Sequence, residues 1–408
     1  MKLLIVEPRA HGHHFSLYLL NILREALRRR WAVQVLTTQD ALDHPAMSII
    51  AREFDGRVAF SKMPVPRQWM NGSSVALLAN QLFYYLAMRR GYRAITAPQF
   101  DAIFIMDLDS VDKALALFGS PFRAIAVSGV FVHLKFHWPS IGLGCGGRSP
   151  ALARWFFHRL LSRRLVRSVS VIDETFASYI KLHGFSGADK VVIVAEPAVT
   201  ACVLERGVAR ALLGVDDSRF VVLVYGAHTM RKGLHYLLEA LSRIDDPGIR
   251  VIVAGDMDGE VRLFLSLNLP ASLQASGRLQ VIGRFINHDE EQALFSASDV
   301  VWLGYGPGFV GQSAILPLAA AYGVPVLAKS GGMIGSITRK HGIGLLVCPE
   351  RIDEVADAVL RLMADHALLA GLRENALTFA RGRTMEGFAG AICAAMEPKN
   401  FRAKTPVV

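Results

Sequence analysis

The sequence predicts an α/β protein made of two doubly wound parallel-sheet domains. Three observations carry that expectation. Short apolar runs alternate with helical segments of amphipathic spacing, and the alternation restarts after a break near Glu196–Arg210. The apolar runs are continuous rather than alternating, which is how strands covered on both faces read. At 408 residues the chain is longer than one hydrophobic core usually serves.

The elements follow in order. "KLLIVEP" is a strand, "FSLYLLNILREALRRR" a helix and "AVQVLTT" the next strand. "DAIFIMD", "RAIAVSGVFV", "SVSVID" and "KVVIVAEPA" continue the series. The second series opens with "RFVVLVYGAHTMRKGLHYLLEALSRI" and runs through "IRVIVAGD" and "LQVIGRF". Strand–helix alternation implies parallel pairing with right-handed crossovers, so each series is one domain. The expected boundaries are residues 1–200 and 201–385, with a C-terminal helix and loose tail over 386–408.

From Val300 to Ala328 there is no Asp, Glu, Lys, Arg or His, a length that could span a bilayer. Gly304, Gly306, Pro307, Gly308, Gly311, Pro317, Gly323 and Pro325 interrupt it, and such a run cannot stay helical in lipid. It parses instead as a buried strand (Val300–Leu303), a glycine-rich loop (Gly304–Gly311), a helix (Ser313–Ala321) and a second buried strand (Pro325–Ala328).

The formal charge of +10 favours anionic partners. Cys145, Cys202, Cys348 and Cys393 lie far apart and form no C-x-x-C, so neither a zinc site nor a disulfide framework is expected. Only four apolar residues separate Lys2 from Glu7, too few for a signal peptide core, and the protein is expected to be cytoplasmic.

Ligands of open α/β sheets bind beyond the carboxyl ends of the strands, so the informative residues follow each strand. After the first strand, "EPRAHGHHFSLY" has Gly12 but no G-x-G-x-x-G, which argues against a dinucleotide cofactor. Gly12 and His13 instead suit close backbone approach by an acceptor, or simply form a solvated polar loop. After the first strand of the second series, Gly226 permits a tight exit, and Arg231 and Lys232 stand at the entrance to a helix. A cation pair beside free helix amides suits a diphosphate, and an exposed basic turn is the alternative. Gly311, Gln312, Ser313 and Ala314 can present successive backbone N–H groups to a phosphate, or Ser313 can be an ordinary helix cap. Asp107 and Asp109 form a D-x-D that more simply closes a strand, and no metal cluster is expected.

These residues bring a family into view. The second half resembles the donor domain of GT-B glycosyltransferases, above all the retaining family 4-like group. "GAHTMRKG" is similar to that family's G-R-x4-K-G pattern in Gly226, Lys232 and Gly233, with Ala227 where Arg usually stands. "AYGVPVLAKSGGMIGSITRKHGIGLLVCPERIDEVADAV" resembles the segment closing its donor pocket. The resemblance implies a GT-B fold of two Rossmann-like domains facing a cleft, with acceptor on the first and donor on the second. It implies transfer of a sugar from a nucleotide-diphosphate sugar to a polysaccharide or lipid-linked acceptor, with retention and no cofactor or metal. By the same resemblance, Arg231 and Lys232 stabilise the departing diphosphate and His133, in "GVFVHLKFHW", approaches the reacting sugar, with His137 as the other candidate. The family's paired glutamates align to Val310 and Leu318, whose side chains accept no hydrogen bond. A divergent member of this kind leaves open two other readings, a GT-B-like binding protein without transfer and a nucleotide-sugar epimerase.

"RWFFHRLLSRRLVR" predicts a basic amphipathic helix with Arg159, Arg163 and Arg167 on one stripe and Phe157, Leu161 and Leu165 on another. Such a helix packs inward, or lies on an anionic membrane at residues 154–167, which would place the protein at the inner face of the membrane. No nucleic-acid reader motif is present.

Overall fold

The computed structural model describes residues 1–8, 14–44, 46–65, 74–96, 99–144, 149–269, 272–273 and 276–397. They form two compact units, residues 1–196 with the C-terminal segment from Met385, and residues 197–384. Among the described residues no helix is long and apolar enough to cross a membrane.

The first unit holds strands β1 (Lys2–Glu7), β2 (Ala32–Thr37), β3 (Val58–Lys62), β4 (Ala102–Ile105), β5 (Val127–Phe131), β6 (Val166–Val171) and β7 (Val191–Ile193). They pair in parallel in the order β3-β2-β1-β4-β5-β6-β7. The order reverses beside β1, which opens a crevice at the carboxyl ends of β1 and β4. Helices Ser74–Ala94, Asp112–Phe118 and Pro150–Leu161 bury Met88, Leu115 and Phe157 on one face of the sheet. On the other face, helix Leu20–Arg28 buries Ile22 and Leu23 with Phe388, Ile392 and Met396 of the final helix Met385–Met396. The last helix is therefore part of the first unit's core, although the chain reaches it only after completing the second unit.

The second unit holds β8 (Phe220–Tyr225), β9 (Ile249–Ala254), β10 (Leu279–Ile282), β11 (Val300–Leu303), β12 (Val326–Lys329) and β13 (Gly344–Val347). They too are parallel, in the order β10-β9-β8-β11-β12-β13, with the reversal beside β8. Both faces are covered, so β8 and β11 are buried almost end to end, and the charge-free stretch follows from that burial. Asp299, just before β11, accepts from Arg206, Arg210 and Arg373 and from the Val221 amide. This network ties the start of β11 to β8 beneath the loops that follow both strands.

Two sequence expectations change. The helix expected across Arg154–Arg167 ends at Leu161, and Val166–Val171 is strand β6. Arg163 donates to the carbonyls of Ala116 and Leu117, and Arg167 donates to Met396 O at 2.7 Å, so neither joins Arg159 on a helical stripe. The helix expected from Ser313 begins at Ile315.

Candidate functional site

The loops after β8 and β11 meet at the carboxyl edge of the second sheet. β8 leaves through Gly226 at φ +91°, a conformation that costs glycine little. A Cβ there would stand 3.1 Å from Lys232 Nζ and 3.4 Å from Ile315 Cδ1. The absent side chain leaves the space that the Lys232 ammonium and the start of helix Ile315–Ala321 now face. A one-turn 3-10 segment, Met230–Lys232, then leads through Gly233 into helix Leu234–Ser242. A Cβ on Gly233 would lie 2.0 Å from Gly304 O, so the two loops touch backbone to backbone.

Three further contacts fix the loops. Gly306 N donates to Arg231 O at 2.9 Å, and Trp302 Nε1 donates to Lys232 O at 3.1 Å. Lys232 Nζ donates to Tyr225 O at 2.9 Å. Burial first, then the charge of Arg231, pushes this ammonium down to about 8. Arg231 is exposed and lies over the Phe309 ring, 4.6 Å from its centroid, and over Tyr305 at 5.5 Å. Those two rings stack at 4.2 Å. An arginine over aromatic faces keeps its charge and its edge N–H groups available to an anion.

His228 is buried between these elements, with Nε2 3.0 Å from Ala254 O and Nδ1 without a hydrogen-bond partner. Burial pushes it down to about 4, so it is neutral near pH 7, and the carbonyl contact assigns the proton to Nε2. The site thus has two cations, a neutral imidazole and no carboxylate among the contacts just described. Such a set attracts an anion without repelling it.

Of the residues expected to bind donor, Gly226, Arg231 and Lys232 come together here, and Ser313 joins them through Tyr305. Ser313 Oγ lies 3.0 Å from Tyr305 OH and accepts from Ile315 N at 3.3 Å, so the first helical amide is already taken. Gly311 and Gln312 are half-buried and Ala314 is exposed. Val310 abuts helix Gly332–His341, which follows β12: its carbonyl accepts from Met333 N at 3.0 Å, and a Cβ on Gly332 would lie 2.8 Å from Val310 Cα. Leu318 packs on the core.

Lys329 belongs to this site and was not anticipated. From the end of β12 its Nζ donates to the carbonyls of Gly306 (2.8 Å), Pro307 (2.7 Å) and Phe309 (3.2 Å), which pins the loop carrying the aromatic pair. The available signal was its place as the first charge after the charge-free stretch.

In the first unit, His133 is exposed on the loop leaving β5. Its backbone N–H and that of Val132 donate to Asp109 Oδ2 at 3.0 and 2.7 Å. The D-x-D therefore does more than close β4, because its second carboxylate sets the loop carrying His133. Burial, then the neighbouring Asp107, pushes the Asp109 carboxyl above its ordinary range. His137 is fully buried, with Nε2 2.9 Å from Asp173 Oδ2, and acts as a core group. Gly12 and His13 lie outside the described residues.

Residues 206–379 match the family model of the glycosyl transferases group 1. An uncharacterized glycosyltransferase of Methanocaldococcus jannaschii is 29% identical over 169 residues, 41% of this chain and 42% of that protein. The chain spans less than half the length of the curated relatives it matches. Among solved structures, sucrose-phosphate synthase of Thermosynechococcus elongatus aligns with a TM-score of 0.67 at 17% identity, over 97% of this chain and 98% of the other. Anabaena HepE, solved in complex with UDP, aligns with a TM-score of 0.62 at 17% identity, over 97% and 99%. The chain has the GT-B fold, and most of its second unit matches the model of the group 1 glycosyl transferases.

Proposed function

We propose that the protein transfers a sugar from a nucleotide-diphosphate sugar to a polysaccharide or lipid-linked acceptor, with retention. The observation that carries the reading is the placement of the Lys232 ammonium over the open Gly226 position, with Arg231 beside it in sequence and held on the Phe309 ring, at the switch point of the second sheet. The diphosphate of the donor would lie against these cations and the turn leading into helix Leu234–Ser242. As the sugar–phosphate bond breaks, negative charge grows on the departing phosphate, and preorganised cations stabilise that charge more than they stabilise the ground state. Arg231 and Lys232 supply this without a metal. His133 would approach the reacting sugar, on a loop that Asp109 holds by two backbone N–H groups. The binding of UDP by the structurally similar HepE supports a nucleotide as the ligand class.

A screen of UDP, GDP, ADP and TDP by thermal shift tests the reading. A ligand that binds only the native state raises the melting temperature in proportion to its concentration and affinity. At least one nucleotide should shift wild type and leave Arg231→Ala/Lys232→Ala unmoved. No shift with any of the four would remove the donor site.

A second reading is favoured by Val310 and Leu318 at the positions of the family's glutamates: a GT-B-like protein that binds nucleotide without transfer. Nucleotide binding with neither donor hydrolysis nor transfer to any acceptor would select it.

A further inference from the structure

The solvent side of one helical layer in the first unit is unlike an ordinary protein surface. Helices Ser74–Ala94 and Pro150–Leu161 contain no Asp or Glu, and the chain has none from Gly56 to Phe100 or from Lys113 to Ile172. Between those stretches stand Asp101, Asp107, Asp109 and Asp112. Asp101 accepts from Lys2 N before β4, Asp107 and Asp109 lie beyond its carboxyl end, and Asp112 is buried on Gln81. The outer faces of the two helices carry positive charge only.

The same faces expose large apolar side chains. Leu77, Leu78 and Leu82 are exposed on helix Ser74–Ala94, with Arg89 and Arg93 further along. Leu152 and Trp155, each 51% exposed, share one side of helix Pro150–Leu161 with Arg159 at helical spacing. Phe118, 60% exposed, ends the short helix between them, with its ring 5.9 Å from Tyr85 of the first helix. Arg163, just past the other helix, holds the carbonyls of Ala116 and Leu117. These two contacts join the three helices into one surface.

Cations ringing exposed Leu, Phe and Trp, with no acid among them, match a surface that is anionic outside and apolar a few ångströms deeper. We propose that this layer docks on an anionic lipid bilayer, with Leu82, Phe118 and Trp155 entering the headgroup boundary and Arg89 and Arg159 facing lipid phosphates. The contact rests on Trp155, Phe118 and the 74–94 helix rather than on a single basic helix at 154–167. It does not depend on the sugar-transfer reading.

Co-sedimentation of the full-length protein with vesicles of phosphatidylcholine, alone or with one third phosphatidylglycerol, tests the proposal. Binding should require phosphatidylglycerol and be lost at about 0.5 M salt, where the screening length falls to a few ångströms. Arg89→Gln and Arg159→Gln should each weaken it about fivefold. Phe118→Ser/Trp155→Ser should weaken it at least about tenfold, since two exposed aromatics no longer enter the interface. Leu267→Ser, on the second unit and 71% exposed, should bind as wild type. Equal melting temperatures of the variants separate loss of contact from loss of fold, and the charge variants keep the apolar residues intact. Equal binding to neutral vesicles, undiminished binding by both variant sets, or a stable dimer that hides Trp155 from quenchers would overturn it.

Discussion

Raising the pH through the titration of Lys232 should weaken nucleoside diphosphate binding in step with the loss of its ammonium. Burial and Arg231 hold this group at about 8, below the ordinary lysine value, so its charge disappears within an accessible range. The sign follows from linkage. A bound diphosphate favours the protonated amine, so affinity is full below the free-state value and falls as pH rises through it. For a ligand that binds only the protonated form, affinity drops about tenfold between about pH 7 and about pH 9. Guanidinium groups stay charged there, His228 titrates at about 4, and burial raises Tyr305 above its ordinary value; burial also lowers Lys329, so substitutions at Lys232 assign the effect. Calorimetric titration with UDP across that range gives the slope directly. Lys232→Arg should bind with a flat profile, and Lys232→Met should bind weakly and also flatly. A flat profile in wild type, or an unchanged slope in Lys232→Met, would refute the placement of the diphosphate on this amine.

Asp299→Ala should destabilise the second unit by about 3–5 kcal/mol, because Arg210, fully buried, loses its carboxylate while the other two arginines reach solvent. For a unit of this size that is a fall of about 10 °C in Tm, readable by calorimetry as a separate transition. Lys329→Met should free the loop at 306–309, with amide exchange at Phe309, bonded to Gly306 O, faster by about 30-fold for a loss of about 2 kcal/mol. Unchanged exchange there would mean that the three carbonyl contacts do not hold the loop.

The central strands were legible because burial on both faces leaves a continuous apolar signature, and β11 occupies Val300–Leu303 as read from composition; the edge strands β3 and β13 are only partly buried and were not read. Gly226 and the Arg231–Lys232 pair were legible because a strand exit, a cation pair and a helix start are local features. The start of the next helix was not: Ser313 looked like its cap, yet its hydroxyl also meets Tyr305, a contact fixed by the fold of the loop. The basic stripe was misread because Arg163 and Arg167 spend their donors on carbonyls contributed by Ala116, Leu117 and Met396.

Local chemistry in the chain therefore determined the α/β class, the two series of parallel strands, the absence of a dinucleotide fingerprint and the cation pair beside a helix entrance. Period, burial and turn preference act over a few residues and can be read in one dimension. Tertiary structure alone decided that Lys329 pins the loop carrying Tyr305 and Phe309. It also decided that Asp109 grips the backbone at His133, that the final helix completes the first core, and that two acid-free helices flank the short helix Asp112–Phe118. Each of these depends on which carbonyl, carboxylate or apolar face arrives from a distant part of the chain, and hydrogen bonds and packing are satisfied in space regardless of sequence separation.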